Sequence, residues 1–182
     1  SMPRLFVALP IPDDVADQLG ALQGGVPDAN WVPSENFHIT LAFLGEVDGG
    51  MTEDIHEALA TIDGPILDIA LSGVDHFVDG QQPRALYAGV VQEERLLRLR
   101  EKVVRVLRGE GVTLERRKFR PHVTLAHFNR RAEIGHHMAQ FVASHSLFRA
   151  GPFEVDSFRL YSSTLRPGGS VYEIEAEYPL GY

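Results

Sequence analysis

Two histidines in this chain are each followed, two positions later, by a threonine in nearly the same setting. The first pair is His38 and Thr40 in the tetrapeptide HITL, and the second is His122 and Thr124 in HVTL. Two imidazoles with ordinary pKa values of about 6.5 can divide acid and base work near neutral pH. In-line displacement at phosphorus needs that division, with a base on the entering oxygen and an acid on the leaving oxygen. The threonine hydroxyls can donate hydrogen bonds to phosphate oxygens.

Both pairs lie in apolar runs that predict buried strands. The runs are FHITLAFLG at 37–45 and PHVTLAHF at 121–128, which are rich in β-branched and aromatic residues. Side chains alternate between the faces of a strand, so each histidine shares a face with its threonine, about 7 Å away. Strict alternation also places the small Ala42 and Ala126 on that face and turns Phe43 to the opposite one. We therefore expect a polar, uncrowded cleft with two matched walls.

The elements around these strands occur twice in the same order, which predicts two lobes related by a pseudo-two-fold axis. In the first half the predicted elements are a strand at 4–9, a helix at 13–23, the histidine strand, a helix at 52–62 and a strand at 66–77. In the second half they are a strand at 85–91, a helix at 93–108, the histidine strand, a helix at 133–144 and a strand at 153–161. A closing strand covers about 171–177, so we predict a single bilobal domain over 1–182 with repeats at about 4–77 and 84–162.

Composition and charge limit the class of protein. With 182 residues, of which 44% are hydrophobic, the chain can bury a full core. No run approaches the roughly 18 apolar residues of a membrane span and no signal peptide is visible, so we expect a cytoplasmic protein without a membrane partner. The absence of cysteine excludes disulfides, thiolate metal sites and cysteine nucleophiles. The net charge of −8 disfavours a protein that tracks long nucleic acids.

A basic cluster directly before the second histidine strand has two interpretations. The residues RRK at 116–118 form either a solvated loop or a local attractor for the phosphate end of a substrate. Arg120 lies two positions before the second motif histidine and shares the cleft face if the strand has begun there. The adjacent histidines at 136–137 diverge by about 100° on a helix, and no third ligand or carboxylate cluster accompanies them. We therefore predict neither a metal ion nor another cofactor.

The paired motifs, one in each half, resemble those of the two-histidine (2H) phosphoesterase superfamily. Within it the chain is similar to the RNA 2′,3′-cyclic phosphodiesterase family, historically called 2′-5′ RNA ligases. The similarity extends to RLFVALPIP at the start, WVPSENFHITLAFLGEV and FRPHVTLAHF around the motifs, and LYSSTL and YEIEAEYPL near the end. It covers residues 3–180 and implies an α+β fold, in which two α/β lobes, each an antiparallel sheet with outer helices, flank a central catalytic groove.

The resemblance also implies an activity, which is metal-independent hydrolysis of RNA or nucleoside 2′,3′-cyclic phosphate ends to 2′-phosphates. His38 would donate a proton to the departing 3′ oxygen, and His122 would accept the proton of the attacking water. Thr40 and Thr124 would hold the phosphate. The expected substrates are RNA 2′,3′-cyclic phosphate ends or cyclic mononucleotides, and no obligate protein partner is expected.

One position departs from the family pattern. Members often carry an arginine five residues after the second motif histidine, where it can help to bind phosphate, and this chain has His127 there. Regular alternation turns His127 away from His122, whereas a β-bulge would return it to the cleft. A phosphate contact made by His127 would depend on pH, which a contact made by arginine would not.

Two other functions fit the same residues. The first is ATP-independent 2′-5′ RNA ligation, in which an alcohol replaces water in the same groove, and the sequence does not separate it from hydrolysis. The second is a non-catalytic nucleotide-binding module. Loss of a motif histidine would indicate such a module, and both histidines are present.

Overall fold

The strands and helices follow the predicted order closely. The computed structural model describes residues 3–79, 82–129 and 135–181. Its strands are β1 (Arg4–Pro10), β2 (Asn30–Trp31), β3 (His38–Glu46), β4 (Leu67–Asp79), β5 (Gln82–Val90), β6 (His122–His127), β7 (Arg149–Val155), β8 (Ser157–Arg166) and β9 (Gly169–Pro179). Its helices are α1 (Asp13–Gly20), α2 (Gly49–Leu59), α3 (Glu94–Gly109) and α4 (Gly135–Ser144), and a short 3₁₀ helix covers Ser34–Asn36. No helix within the described ranges is long and apolar enough to cross a membrane.

Two antiparallel sheets carry the histidine strands. Within the described residues, one sheet has the order β3-β1-β8-β9 and the other has the order β2-β6-β5-β4-β7. Apart from the short β2, the two orders correspond, since each histidine strand pairs with the first strand of its own half. Helix α1 contacts β7, α4 contacts β4, and α3 contacts both β3 and α2. These two antiparallel sheets with their packed helices confirm the predicted fold class.

The two sheets do not coincide with the two sequence repeats. Strand β4 comes from the first repeat and pairs with β5, whereas β8 comes from the second repeat and pairs with β1. Each repeat thus contributes its last strand to the sheet that contains the histidine strand of the other repeat. One buried apolar cluster includes side chains of both sheets, such as Leu9 of β1 and Leu86 of β5. The single bilobal domain with repeats at about 4–77 and 84–162 stays a prediction.

The single strand predicted at 153–161 is wrong, because two strands occupy this segment. Strand β7 ends at Val155 in the five-stranded sheet, and β8 begins at Ser157 in the four-stranded sheet. Between them, the carbonyl of Asp156 accepts a hydrogen bond from the N–H of Leu180 at 2.8 Å. The apolar positions change phase across the break, from Phe153 and Val155 to Phe158 and Leu160, and Ser157 and Phe158 are both buried. The change of sheet therefore coincides with an interruption of the period-two pattern.

The predicted helix ends differ by a few residues for local reasons. Helix α2 begins at Gly49 rather than at 52, because the Oδ1 atom of Asp48 accepts the N–H of Met51 at 2.9 Å and caps the first turn. Helix α1 ends at Gly20 rather than at 23. For α4, positions 133 and 134 of the predicted helix lie outside the described residues.

Helix α3 shows the amphipathic pattern that the sequence predicts. Its buried side chains recur at helical spacing and include Leu96, Leu99, Val103 and Leu107, none more than 3% exposed. Full burial of such a side chain contributes about 1.5–3 kcal/mol. The helix therefore packs firmly against its neighbours, among them the first histidine strand.

Candidate active site

Each histidine strand contains a β-bulge just after its threonine. In β3, Thr40 pairs with Ala8 and Ala42 pairs with Val7, which leaves Leu41 as the extra residue. In β6, Thr124 pairs with Tyr87 and Ala126 pairs with Leu86, which leaves Leu125 as the extra residue. An extra residue in one strand bends it and re-aims the side chains that follow. The two histidine strands therefore share an irregularity at this position, and β3 has a second one at Leu44.

These bulges reverse the side-chain faces beyond the motifs. Ala42 is 7% exposed and Ala126 is 0% exposed, so the prediction that both line the cleft is wrong. Phe43 was predicted to point away from the cleft, yet it is 68% exposed. The predictions failed because strict alternation does not hold across an extra residue. His127 meets the condition set for it, since the bulge leaves its side chain exposed and turned back to the side of His122.

Each motif histidine is held by an equivalent hydrogen bond to the backbone two residues before it. The Nδ1 atom of His38 lies 2.7 Å from the carbonyl oxygen of Asn36, and that of His122 lies 2.6 Å from the carbonyl oxygen of Arg120. A carbonyl oxygen only accepts, so Nδ1 carries the hydrogen and donates it in each ring. Each Nε2 is then left to accept a proton when the ring is neutral or to donate one when it is protonated.

Aromatic side chains fix the plane of each imidazole. The ring of His38 lies 4.9 Å from Phe6 and 5.5 Å from Tyr172, between centroids. The ring of His122 lies 4.8 Å from Phe77 and 5.1 Å from Tyr87. These contacts remove water from one side of each imidazole and favour its neutral form.

Burial, and to a smaller extent neighbouring charge, lowers the pKa of the motif histidines. Burial lowers the pKa of His38 and of His122 below the ordinary histidine value, and the hydrogen bond to each backbone carbonyl partly offsets this effect. The charges of His122 and His127 lower the pKa of His38 further, and the charge of His127 lowers that of His122. Although its side chain is exposed, His127 also has a lowered pKa, because the cleft walls desolvate it. Charge coupling of this kind requires proximity, so the three imidazoles share one cleft.

Thr40 and Thr124 occupy equivalent positions beside the histidines. Both are half-buried, and each precedes the extra residue of its bulge. Each hydroxyl therefore lies on the same face of its strand as the imidazole two positions earlier. The structure brings together the four motif residues that the sequence singled out, on strands β3 and β6, which contact each other.

Arg120 lies before the second histidine strand, so the condition set for its place on the cleft face is not met. Strand β6 begins only at His122, so Arg120 precedes the strand and its side chain is exposed. Tyr87 packs on His122. Burial and the charge of Asp75 raise the pKa of Tyr87, and the guanidinium charge of Arg120 partly offsets this rise. Arg120 thus lies beside the cleft, and its backbone carbonyl accepts the hydrogen bond that orients His122. Sequence reasoning did not foresee this backbone contact.

The remaining polar candidates lie on the surface. The residues at 116–118 are all exposed, and Arg117 forms an ion pair with Glu115 at 3.1 Å, which fits the solvated-loop interpretation. His136 and His137 are exposed on α4 with ring centroids 5.7 Å apart. Across the described ranges, no three histidine or carboxylate side chains are placed to share a metal ion.

Phe43 is the candidate that sequence reasoning missed. Phe6 and Tyr161 are 3% and 9% exposed and stack on each other at 5.1 Å, so they belong to the packing behind His38. Phe43 instead presents most of its ring to solvent on the cleft side of β3. It lies five positions after the first motif histidine, as His127 does after the second. Comparing the two motifs position by position would have revealed this equivalence.

The sequence and fold have clear relatives. The sequence model of the 2′-5′ RNA ligase superfamily matches residues 11–166. The RNA 2′,3′-cyclic phosphodiesterase of Archaeoglobus fulgidus is 32% identical over 173 residues, which are 93% of this chain and 96% of the relative. That of Thermotoga maritima is 30% identical over 177 residues, which are 94% of this chain and 92% of the relative. The apo structure of E. coli LigT is 24% identical and superposes with a TM-score of 0.80, covering 100% of both chains.

Proposed function

The chain belongs to the 2′-5′ RNA ligase superfamily, and we propose that it is an RNA 2′,3′-cyclic phosphodiesterase. It hydrolyses RNA or nucleoside 2′,3′-cyclic phosphate ends to 2′-phosphates. The relatives from A. fulgidus and T. maritima carry the name of this activity. The observation that carries the proposal is the matched pair of imidazoles, each with Nδ1 donating to a backbone carbonyl and Nε2 left to exchange protons.

Two proton transfers suffice for the reaction. Neutral His122 accepts a proton from water through Nε2 as the water oxygen attacks phosphorus. Protonated His38 gives its Nε2 proton to the 3′ oxygen as the bond from phosphorus to that oxygen breaks. The product carries the phosphate on the 2′ oxygen, and the two rings exchange their proton states. Proton exchange with solvent then restores the starting protonation state of both rings before the next turnover.

The phosphate contacts follow from the cleft face of the two strands. Thr40 and Thr124 donate hydroxyl hydrogen bonds to non-bridging oxygens, one from each wall. His127 adds a donor on the β6 side, where it is close enough to influence the pKa of both motif histidines. Arg120 supplies a cation at the entrance beside Tyr87. These contacts need no metal ion, because imidazolium, guanidinium and hydroxyl donors together neutralise the developing charge.

Phe43 receives the nucleobase. An exposed aromatic ring on the cleft side of β3 offers a stacking surface, and every base has a π-face that can use it. Its ring lies 5.9 Å from that of Phe6 between centroids, tilted by 44°, and the side chain is 68% exposed, which leaves ring surface accessible to a base. The base then lies on the wall of His38, and the phosphate lies between the two walls. This placement puts the ribose oxygens next to the proton donor.

The test is hydrolysis of an RNA ending in a 2′,3′-cyclic phosphate in excess EDTA, with the regiochemistry of the product resolved. His38→Ala and His122→Ala should each lower the rate by about 10²- to 10⁴-fold, as expected for loss of a general acid or base. His136→Ala, an exposed histidine of α4, is the matched control and should keep the wild-type rate.

Each other result points to another function. Binding of the cyclic end without turnover would favour a nucleotide-binding module. Formation of a 2′-5′ linkage after addition of an RNA with a 5′-hydroxyl end would reveal ligation in the same cleft. Loss of wild-type activity in EDTA would contradict the metal-independent mechanism.

A further inference from the structure

The carbonyl group of the bulged residue Leu125 is held by a side chain from a distant part of the chain. The Nε2 atom of Gln23 donates to this carbonyl at 3.1 Å and to the carbonyl of Val32 at 2.7 Å. The N–H of Val32 also donates to the Leu125 carbonyl at 2.9 Å. Gln23 is half-buried and lies three residues beyond the end of α1. Both of its amide hydrogens are therefore used to join the bulge to the end of β2.

The other bulge has a counterpart of this contact. The Nε atom of Arg100 on α3 lies 3.4 Å from the carbonyl oxygen of the bulged Leu41, a longer and weaker contact. Its guanidinium group lies over the ring of Phe119, 5.1 Å from the centroid. Helices α1 and α3 each follow the first strand of their half. In both cases a polar side chain from one half thus reaches the bulged carbonyl of the other half, from beyond the end of α1 in one case and from within α3 in the other.

The bulged residue is held from one side only. Leu125 has no partner residue in β5, and its carbonyl accepts hydrogen bonds from the side of β2, from the N–H of Val32 and the amide of Gln23. A strand that absorbed the extra residue into the ladder would shift register by one position beyond it. That shift would turn His127 to the opposite face and bring Ala126, which is 0% exposed, to the cleft. Contacts to the Leu125 carbonyl therefore favour the register that keeps His127 in the cleft.

We propose that Gln23 is a positioning residue that holds the β6 bulge and thereby keeps His127 on the cleft face for contact with the substrate phosphate. Gln23 acts through His127 and does not touch the substrate. The proposal rests on the proposed function in one respect, which is that the phosphate occupies the cleft between β3 and β6.

The kinetic test is a double-mutant cycle with cytidine 2′,3′-cyclic phosphate as substrate. Gln23→Met removes the two donated hydrogen bonds while keeping the length of the side chain. We expect kcat/KM to fall about 5- to 10-fold, mainly through KM, as expected for loss of a hydrogen bond of ordinary strength. In the His127→Ala background, Gln23→Met should cause less than about 2-fold further loss, because the two changes remove the same interaction. Gln18→Met, on the exposed face of α1, is the matched control and should leave the kinetics unchanged.

A second readout does not require turnover. The pKa of the His127 ring, followed by NMR, lies below the ordinary histidine value in the wild type because the cleft desolvates it. In Gln23→Met this pKa should fall further, because the opposite face of the strand is buried, as the 0% exposure of Ala126 shows. If Gln23→Met does not fold, Gln23→Asn keeps the amide but shortens the side chain by one methylene, and the same shift is expected.

Three results would overturn the proposal. They are unchanged kinetics in Gln23→Met, an equal loss in the wild-type and His127→Ala backgrounds, and an unchanged His127 titration. If the wild type does not hydrolyse the cyclic phosphate at all, the proposed function fails. The His127 titration then still decides whether Gln23 holds the bulge.

Discussion

Replacement of Phe43 by alanine tests how the nucleobase is bound. The side chain is 68% exposed, so its removal should change the free energy of unfolding by no more than about 0.5 kcal/mol. Stacking of a base on an aromatic ring contributes about 1–3 kcal/mol, which corresponds to about 5- to 150-fold in affinity. We therefore expect Phe43→Ala to raise KM for adenosine 2′,3′-cyclic phosphate within that range, with a smaller change in kcat.

A substrate without a base separates stacking from other effects of this substitution. The 2′,3′-cyclic phosphate of methyl riboside keeps the sugar and the phosphate but lacks the base, so Phe43→Ala should leave its KM almost unchanged. Leu147→Ala, which truncates another exposed apolar side chain at 86% exposure, is the matched control and should affect neither substrate. An equal rise in KM for both substrates would refute the stacking argument, because the loss would then not involve the base.

Further predictions concern pH, the phosphate contact and a helix cap. The pKa values of His38 and His122 are lowered, so the base His122 becomes neutral and the acid His38 loses its proton at pH values below the ordinary histidine pKa. The value of kcat/KM should therefore peak below pH 6.5 and fall towards pH 8. A pH–rate profile that rises from pH 6.5 to 8 would contradict this. His127→Arg should strengthen product inhibition by a nucleoside 2′-phosphate about 10-fold at pH 8 and less at pH 5.5, because neutral histidine gives way to a permanent cation; identical inhibition profiles would exclude a phosphate contact at this position. Asp48→Ala removes the cap of α2 and should lower the free energy of unfolding by about 1 kcal/mol, or the Tm by about 2–4 °C in calorimetry, with unchanged kcat/KM. Asp54→Ala, on the exposed face of α2, is the control. An equal loss of Tm in this control would show that the cap does not cause the effect.

The sequence predicted the motif strands because their signals are local. The order of apolar and polar side chains around His38 and His122 is determined within a few residues, and both strands begin within one position of the prediction. The resemblance to a known family covered almost the whole chain, so it carried the fold class as well. The helix ends were less accurate, since a cap such as Asp48 shifts them by a turn.

Features that depend on distant residues could not be predicted. The bulges at Leu41 and Leu125 follow from how β3 and β6 pair with their neighbours, and no local pattern shows an extra residue. Strict alternation consequently placed Phe43 on the wrong face. The change of sheet at Asp156 does leave a sign, since the apolar positions shift from Phe153 and Val155 to Phe158 and Leu160, but that shift does not say which sheet each strand joins. The pairing of strands is tertiary, and a single-sequence pattern does not contain it.

The near-symmetry of the two walls also explains why the motifs alone do not assign the chemical roles. Both histidines donate through Nδ1 to the carbonyl two positions earlier, and both lie against aromatic rings. A substrate bound between identical walls could react in either direction. The walls differ five positions beyond each histidine, where one has the apolar ring of Phe43 and the other has the titratable ring of His127. A nucleotide is itself asymmetric, with an aromatic base at one end and an anionic phosphate at the other. Matching its base to Phe43 orients the ribose towards His38, so the direction of the reaction is set by residues outside the paired motifs.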